Sequence, residues 1–153
     1  MSEKLLTDIG ETFLQIKEKV KLAAEEAGRD ENEITVMAVT KTVSPQKINE
    51  AVYSGCGLLG ENRVQEFLGK YEEYDKNAEI HFIGHLQKNK VKYIVDKVSM
   101  IESVDSLKLA KEISKEFKKA DATANVLVEV NIGKEESFKG SNSNCNEKFR
   151  YNL

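Results

Sequence analysis

A lysine set between two threonines, Thr40-Lys41-Thr42, closes an apolar run that begins at Ile34. The chemistry open to a lysine there is amine chemistry. A neutral ε-amine adds to an aldehyde carbonyl and gives a Schiff base, and a lysine half-buried beside apolar surface loses part of the solvation that holds its proton. The run Ile34 to Thr42 is apolar on both faces, which predicts a strand covered on both sides inside an α/β layer. Its last residues then lie at the carboxyl edge of the sheet, where such folds keep their chemistry. Lys41 is therefore a candidate nucleophile. Many strands also end on a solvated lysine, so placement alone leaves that plain reading open.

Two later segments stand at corresponding places. Gly60-Glu61-Asn62-Arg63-Val64-Gln65-Glu66 follows a second apolar run, and the stretch His81 to Lys90 spans a third run and its exit. Asn62 offers a neutral donor and acceptor for a ring hydroxyl without disturbing the charge of a nearby lysine. The structural alternative is that Glu61 and Asn62 cap a helix and that Gly84 makes a tight strand-to-helix turn. His81 and His85 are four apart, a metal-ligand spacing on a helix. Here they fall on a strand and across a glycine turn with no third ligand type clustered nearby, which argues for packing or ring contact and against a metal.

The elements that must position these residues follow a rhythm. Residues 3 to 27 place Leu6, Ile9, Phe13, Ile16, Val20, Ala23 and Ala27 on one helical stripe, with Gly28 as the stop. Both signs of charge on the opposite face favour a helix packed on its own domain over a coiled coil or a membrane-surface helix. Ser44-Pro45 starts the next helix, with Ile48, Ala51 and Val52 facing inward and Gly55 closing it. Then come the strand Gly57 to Gly60, a helix Arg63 to Tyr74, a strand Ile80 to Gly84 and a shorter helix carrying Val91, Ile94 and Val95. A strand Val98 to Ser103, a helix with Leu107, Ala110, Ile113 and Phe117, and the run Asn125 to Ile132 complete it.

Strands starting near residues 34, 57, 79, 98 and 125 with helices between them predict a parallel α/β sheet. Two architectures fit: an open, doubly wound sheet, which the length favours, or the first units of a (β/α)8 barrel. No GxGxxG turn follows the first strand, so a dinucleotide site is not expected.

Composition narrows the rest. The 153 residues are 40% hydrophobic and 32% charged, which predicts one soluble globular domain, and the net charge of −3 offers no footprint for nucleic acid. Cys56 and Cys145 are too few and too far apart for a disulfide framework or a metal site. No apolar run is long enough to span a bilayer, and the start near Glu3 and Lys4 lacks a signal core, so the expected place is the cytoplasm. After Gly140 the residues 141–153 are polar and aperiodic and are expected to be irregular, leaving 1–140 as the domain.

Taken together, AVTKT at 38 to 42, GENRVQE at 60 to 66, HFIGHLQKNK at 81 to 90, IESVDS at 101 to 106 and VEVNIGKEES at 128 to 137 resemble the pyridoxal phosphate homeostasis protein family. These are single-domain proteins similar to the amino-terminal barrel of alanine racemase. The resemblance implies a (β/α)8 TIM-barrel fold, here incomplete with about five βα units after an N-terminal helix. It further implies pyridoxal 5′-phosphate held as an aldimine on Lys41, with Asn62 lining the cofactor and the His81 to Lys90 segment shaping the same mouth. The implied role is holding and exchanging the cofactor within its intracellular supply, with amino acids or apo-enzymes as candidate acceptors.

The family's later strands, with their phosphate cradle, have no counterpart here. The expectation is therefore a chain truncated near residue 138, with open barrel edges prone to self-association. Three other readings compete. One is a racemase-like enzyme, which needs an acid/base group on each face of the cofactor; another is a non-functional truncated fragment; the third is an unrelated five-stranded α/β protein in which Lys41 is merely solvated.

Overall fold

The computed structural model describes residues 8–131 and 141–142. Within them, apolar runs too short to stand alone become strands by pairing: β1 Met37–Val39, β2 Leu58–Glu61, β3 Glu79–Phe82, β4 Met100–Val104 and β5 Val126–Val128. They form one parallel sheet in the order β1-β2-β3-β4-β5. A doubly wound sheet reverses its strand order at a switch point, and this sheet never reverses. Sequential order is the order of a (β/α)8 barrel, here represented by five strands among the described residues.

The core confirms this. Leu59, Ile80, Phe82, Ile101 and Val104 leave the sheet on one side and meet the helices α2 Pro45–Tyr53, α3 Val64–Lys70 and α4 Leu107–Lys119 in a single buried cluster. That cluster includes Ile48, Phe67, Leu109, Ile113 and Phe117. Among the described residues no helix covers the opposite face, which corresponds to the inner face of a barrel. Val39, predicted to be covered, is 52% exposed, and Leu127 on β5 is 50% exposed. The reason is positional: β1 and β5 are the two edges of this sheet.

Local signals explain the helix boundaries. Pro45 sits at the first position of α2, although the Ser44 hydroxyl caps no backbone N–H there, so the fixed φ of proline carries that start. At α4 the Ser106 hydroxyl oxygen accepts from the Leu109 N–H at 3.3 Å. The amino-terminal helix α1, Asp8–Glu26, ends before Gly28 at φ +65, the left-handed stop that glycine tolerates.

Several expectations shift. The run Ile34 to Thr42 yields only three strand residues, because β1 has a pairing partner on one side alone. Arg63 to Tyr74 divides into α3 and a 3₁₀ turn, Tyr71–Glu73, and the segment of Val91 is a 3₁₀ helix, Lys88–Tyr93, that still buries Val91 and Ile94. On α1 the buried residues are Gly10, Phe13 and Ala24, while Ile16 is exposed, since the helix packs chiefly along α2. Ser141–Asn142 pairs in parallel with Val130–Asn131, as backbone pairing requires no apolar periodicity. The expectations for Glu3, Lys4, Leu6, the GKEES stretch and Cys145 lie outside the described residues. No helix among the described residues is long and apolar enough to cross a membrane.

Candidate functional site

Strand register decides which side chains share a face. Val39 pairs with Gly60, and Gly60 with His81, so these three lie in one row on the face turned away from the helices. Lys41 and Asn62 lie just past the last residues of β1 and β2, so both stand at the carboxyl edge of neighbouring strands, while His81 lies within β3. Lys41 is exposed. The half-buried setting predicted for it is not what the fold supplies, because β1 lies at the sheet edge and no described residue covers its inner face.

His81 Nδ1 lies 2.6 Å from Glu102 Oε1 on the neighbouring β4. His85 instead pairs with Asp105 at 3.1 Å. The two imidazoles therefore serve different carboxylates, and no group of three potential ligands forms among the described residues. Beside Asn62 a groove of about 390 Å³ opens, lined by Arg63, Glu66, His85 and Lys90 among others.

Gly84 explains how Asn62 is seated. A Cβ added at Gly84 would fall 2.1 Å from the Asn62 backbone oxygen and 2.4 Å from its Oδ1. Neither a backbone oxygen nor the strand end behind it can yield that far. Gly84→Ala is therefore expected to cost about 1–3 kcal/mol and to displace Asn62, which thermal melting and the amide signals of residues 61–63 would report. An unchanged melting temperature would refute this packing.

Behind the edge, on the helix side, is a polar network that the sequence reading missed. Glu61, read there as a helix cap, is a strand residue with no exposed side-chain surface. Thr40 Oγ1 donates to its Oε1 at 2.7 Å, the Tyr74 hydroxyl donates to the same oxygen, and Lys70 Nζ stands 3.4 Å away. Such burial of a carboxylate is tolerable only with partners of this kind. Its second oxygen, Oε2, is buried and makes no hydrogen bond. Burial, then the contact with Glu61, holds the Tyr74 phenol far above its ordinary range, so it stays protonated.

Lys70 also donates to the backbone oxygens of Thr40 at 3.1 Å and Val43 at 3.4 Å, and to Glu66 Oε1 at 3.0 Å. Glu66 Oε1 accepts the Thr42 N–H at 2.5 Å. That N–H, then the Lys70 hydrogen bond, lowers the Glu66 carboxyl below its usual range and keeps it ionised. The bonded residues 40, 42 and 43 bracket Lys41. The available sequence signal was the i, i+4 spacing of Glu66 and Lys70 on one helix.

No family model matches the chain. It is 46% identical over 145 residues to the pyridoxal phosphate homeostasis protein of Aquifex aeolicus, covering 94% of this chain and 64% of that protein. The protein of the same name from Escherichia coli is 33% identical over 139 residues, covering 88% and 59%. Among solved structures, an unknown protein from Bifidobacterium adolescentis superposes with a TM-score of 0.83 at 31% identity, covering 92% of this chain and 62% of that one. PipY of Synechococcus elongatus, solved with PLP bound, gives 0.66 at 28% identity, covering 82% and 55%. The chain thus spans about three-fifths of the length of the curated relatives it matches. Over nearly its whole length the chain is similar to the pyridoxal phosphate homeostasis proteins, and its sequential parallel sheet agrees with that likeness.

Proposed function

We propose that this chain binds pyridoxal 5′-phosphate covalently through Lys41 and holds it for hand-over to other amines. The observation that carries the reading is the exposed Lys41 amine just past the end of β1, at the carboxyl edge of the sheet and beside the strand exit that carries Asn62. When bound, the cofactor supplies an aldehyde: the lysine nitrogen adds to its carbonyl carbon, a Schiff base forms, and the oxygen leaves as water.

The residues present suit such a group. Lys41 supplies the primary amine, Asn62 a neutral hydrogen-bonding partner, and Arg63 and Lys90 bring positive charge for an anionic phosphate to the groove at Asn62, offset in part by the ionised Glu66. Exposure suits exchange, since an incoming amine must reach the same carbon to displace the lysine. Free amino acids or apo-enzymes in the cytoplasm are the acceptors this reading names. The open edges at β1 and β5 are the surfaces for its self-association.

Storage is favoured over racemisation. Racemisation needs acid/base groups on both faces of the cofactor. Tyr74 is engaged with Glu61 on the helix side of the sheet. The test is to load dialysed protein with pyridoxal 5′-phosphate, follow its yellow absorption band, and add an amino acid in deuterated water. Loss of the band with free cofactor amine adduct in solution and no α-deuteration of the amino acid supports storage. Failure to form any band overturns the binding, and α-deuteration overturns the storage role.

A further inference from the structure

Thr42 has φ +63, a left-handed backbone that a β-branched residue adopts only at a cost of about 1–3 kcal/mol, and only when its surroundings hold it there. The residue before it is Lys41. Two residues of α3 hold the turn: Glu66 accepts the Thr42 N–H at 2.5 Å, and Lys70 bridges the oxygens of Thr40 and Val43 while pairing with Glu66 at 3.0 Å. Beneath them the buried Glu61 anchors Thr40 Oγ1 at 2.7 Å and stands 3.4 Å from Lys70 Nζ.

From this arrangement we infer that Glu66 and Lys70 are positioning residues: a charged clamp on α3 that keeps the Thr40–Val43 turn strained and so fixes the direction in which Lys41 leaves the sheet. The inference rests on Lys41 being the amine that condenses. The clamp touches the backbone of residues 40, 42 and 43 and, through Lys70, the buried Glu61, and neither of its residues bonds the Lys41 side chain. Its effect on Lys41 is therefore geometric. A lysine held near its attacking direction loses less freedom on condensation, whereas one on a relaxed turn must find that direction each time.

Three variants of the full chain test this. The Glu66 side chain is 24% exposed, so Glu66→Ala removes the acceptor with little loss of packing. Condensation with pyridoxal 5′-phosphate, read as the rate of appearance of the yellow band, should slow about tenfold while the melting temperature moves little. Glu66→Gln keeps an acceptor oxygen for the Thr42 N–H and should recover most of the rate. Thr42→Gly in the Glu66→Ala background should also recover it, because glycine occupies the left-handed region without strain and needs no clamp. A Glu66→Ala rate equal to that of the parent chain overturns the clamp. Should that variant melt much lower, the two rescues decide: slow condensation in both overturns it, and recovery in either supports it. If the parent chain itself forms no adduct at Lys41, the binding reading fails instead, and the borohydride-trapped peptide of the parent distinguishes the two failures.

Discussion

Lys41→Ala is expected to abolish the yellow band of the pyridoxal 5′-phosphate adduct while leaving the fold intact. The side chain is exposed and makes no hydrogen bond or ion pair among the described residues, so its removal should change stability by less than about 0.5 kcal/mol. Its chemistry is not replaceable from the neighbouring strand exit, where Asn62 follows β2 and has no nucleophilic amine. Lys41→Arg sharpens the comparison. A guanidinium keeps the positive charge but stays protonated, so it cannot condense. Arginine should therefore fail as completely as alanine if Lys41 acts as the nucleophile. If instead the lysine only attracts the phosphate, arginine should preserve binding, and a retained band in either variant would contradict the assignment.

Glu61→Ala should be the most damaging single change to stability at this edge. It strips a partner from Thr40, Tyr74 and Lys70 at once and leaves polar groups buried without compensation. Loss of one member of such a buried set costs on the order of 3–5 kcal/mol, equivalent to a fall in Tm of roughly 10 °C for a chain of this size. Glu61→Gln keeps the volume and one acceptor oxygen and should fall less. Thermal denaturation followed by circular dichroism measures both, and equal melting for parent and Glu61→Ala would show that the network contributes nothing. The contrast with Lys41 is instructive: one residue is expendable for folding and essential for chemistry, the other the reverse.

Much of this site was legible before any coordinates. The spacing of apolar runs gave the order of strands and helices, and the ends of three runs put Lys41, Asn62 and His81 at or near one edge. What the runs could not convey was pairing. Periodicity specifies which residues are apolar, not which strand lies beside which, so the choice between a reversed and a sequential sheet needed the observed register. Val39 shows the same limit. A β-branched residue in an apolar run reads as covered, yet its exposure depends on whether a neighbouring strand or layer is there to cover it.

The network behind the edge was the larger omission. A glutamate followed by asparagine at a strand end resembles a helix cap, and nothing local distinguishes that from a carboxylate pointing to the other side of the sheet. Only the row Thr40–Glu61 brings the donor and acceptor together, since the two are far apart in sequence and adjacent in the ladder. The left-handed Thr42 was equally hidden. Threonine is a poor choice for that conformation on its own, and the residues that enforce it come from α3.

The most direct measurement is a borohydride-reduced peptide map of the chain after incubation with pyridoxal 5′-phosphate. Reduction fixes the Schiff base as a stable secondary amine, and proteolysis with mass spectrometry then locates it. The account predicts one dominant modified peptide, with the mass increase on Lys41. A modification spread evenly over the surface lysines, or its absence from Lys41, would contradict it.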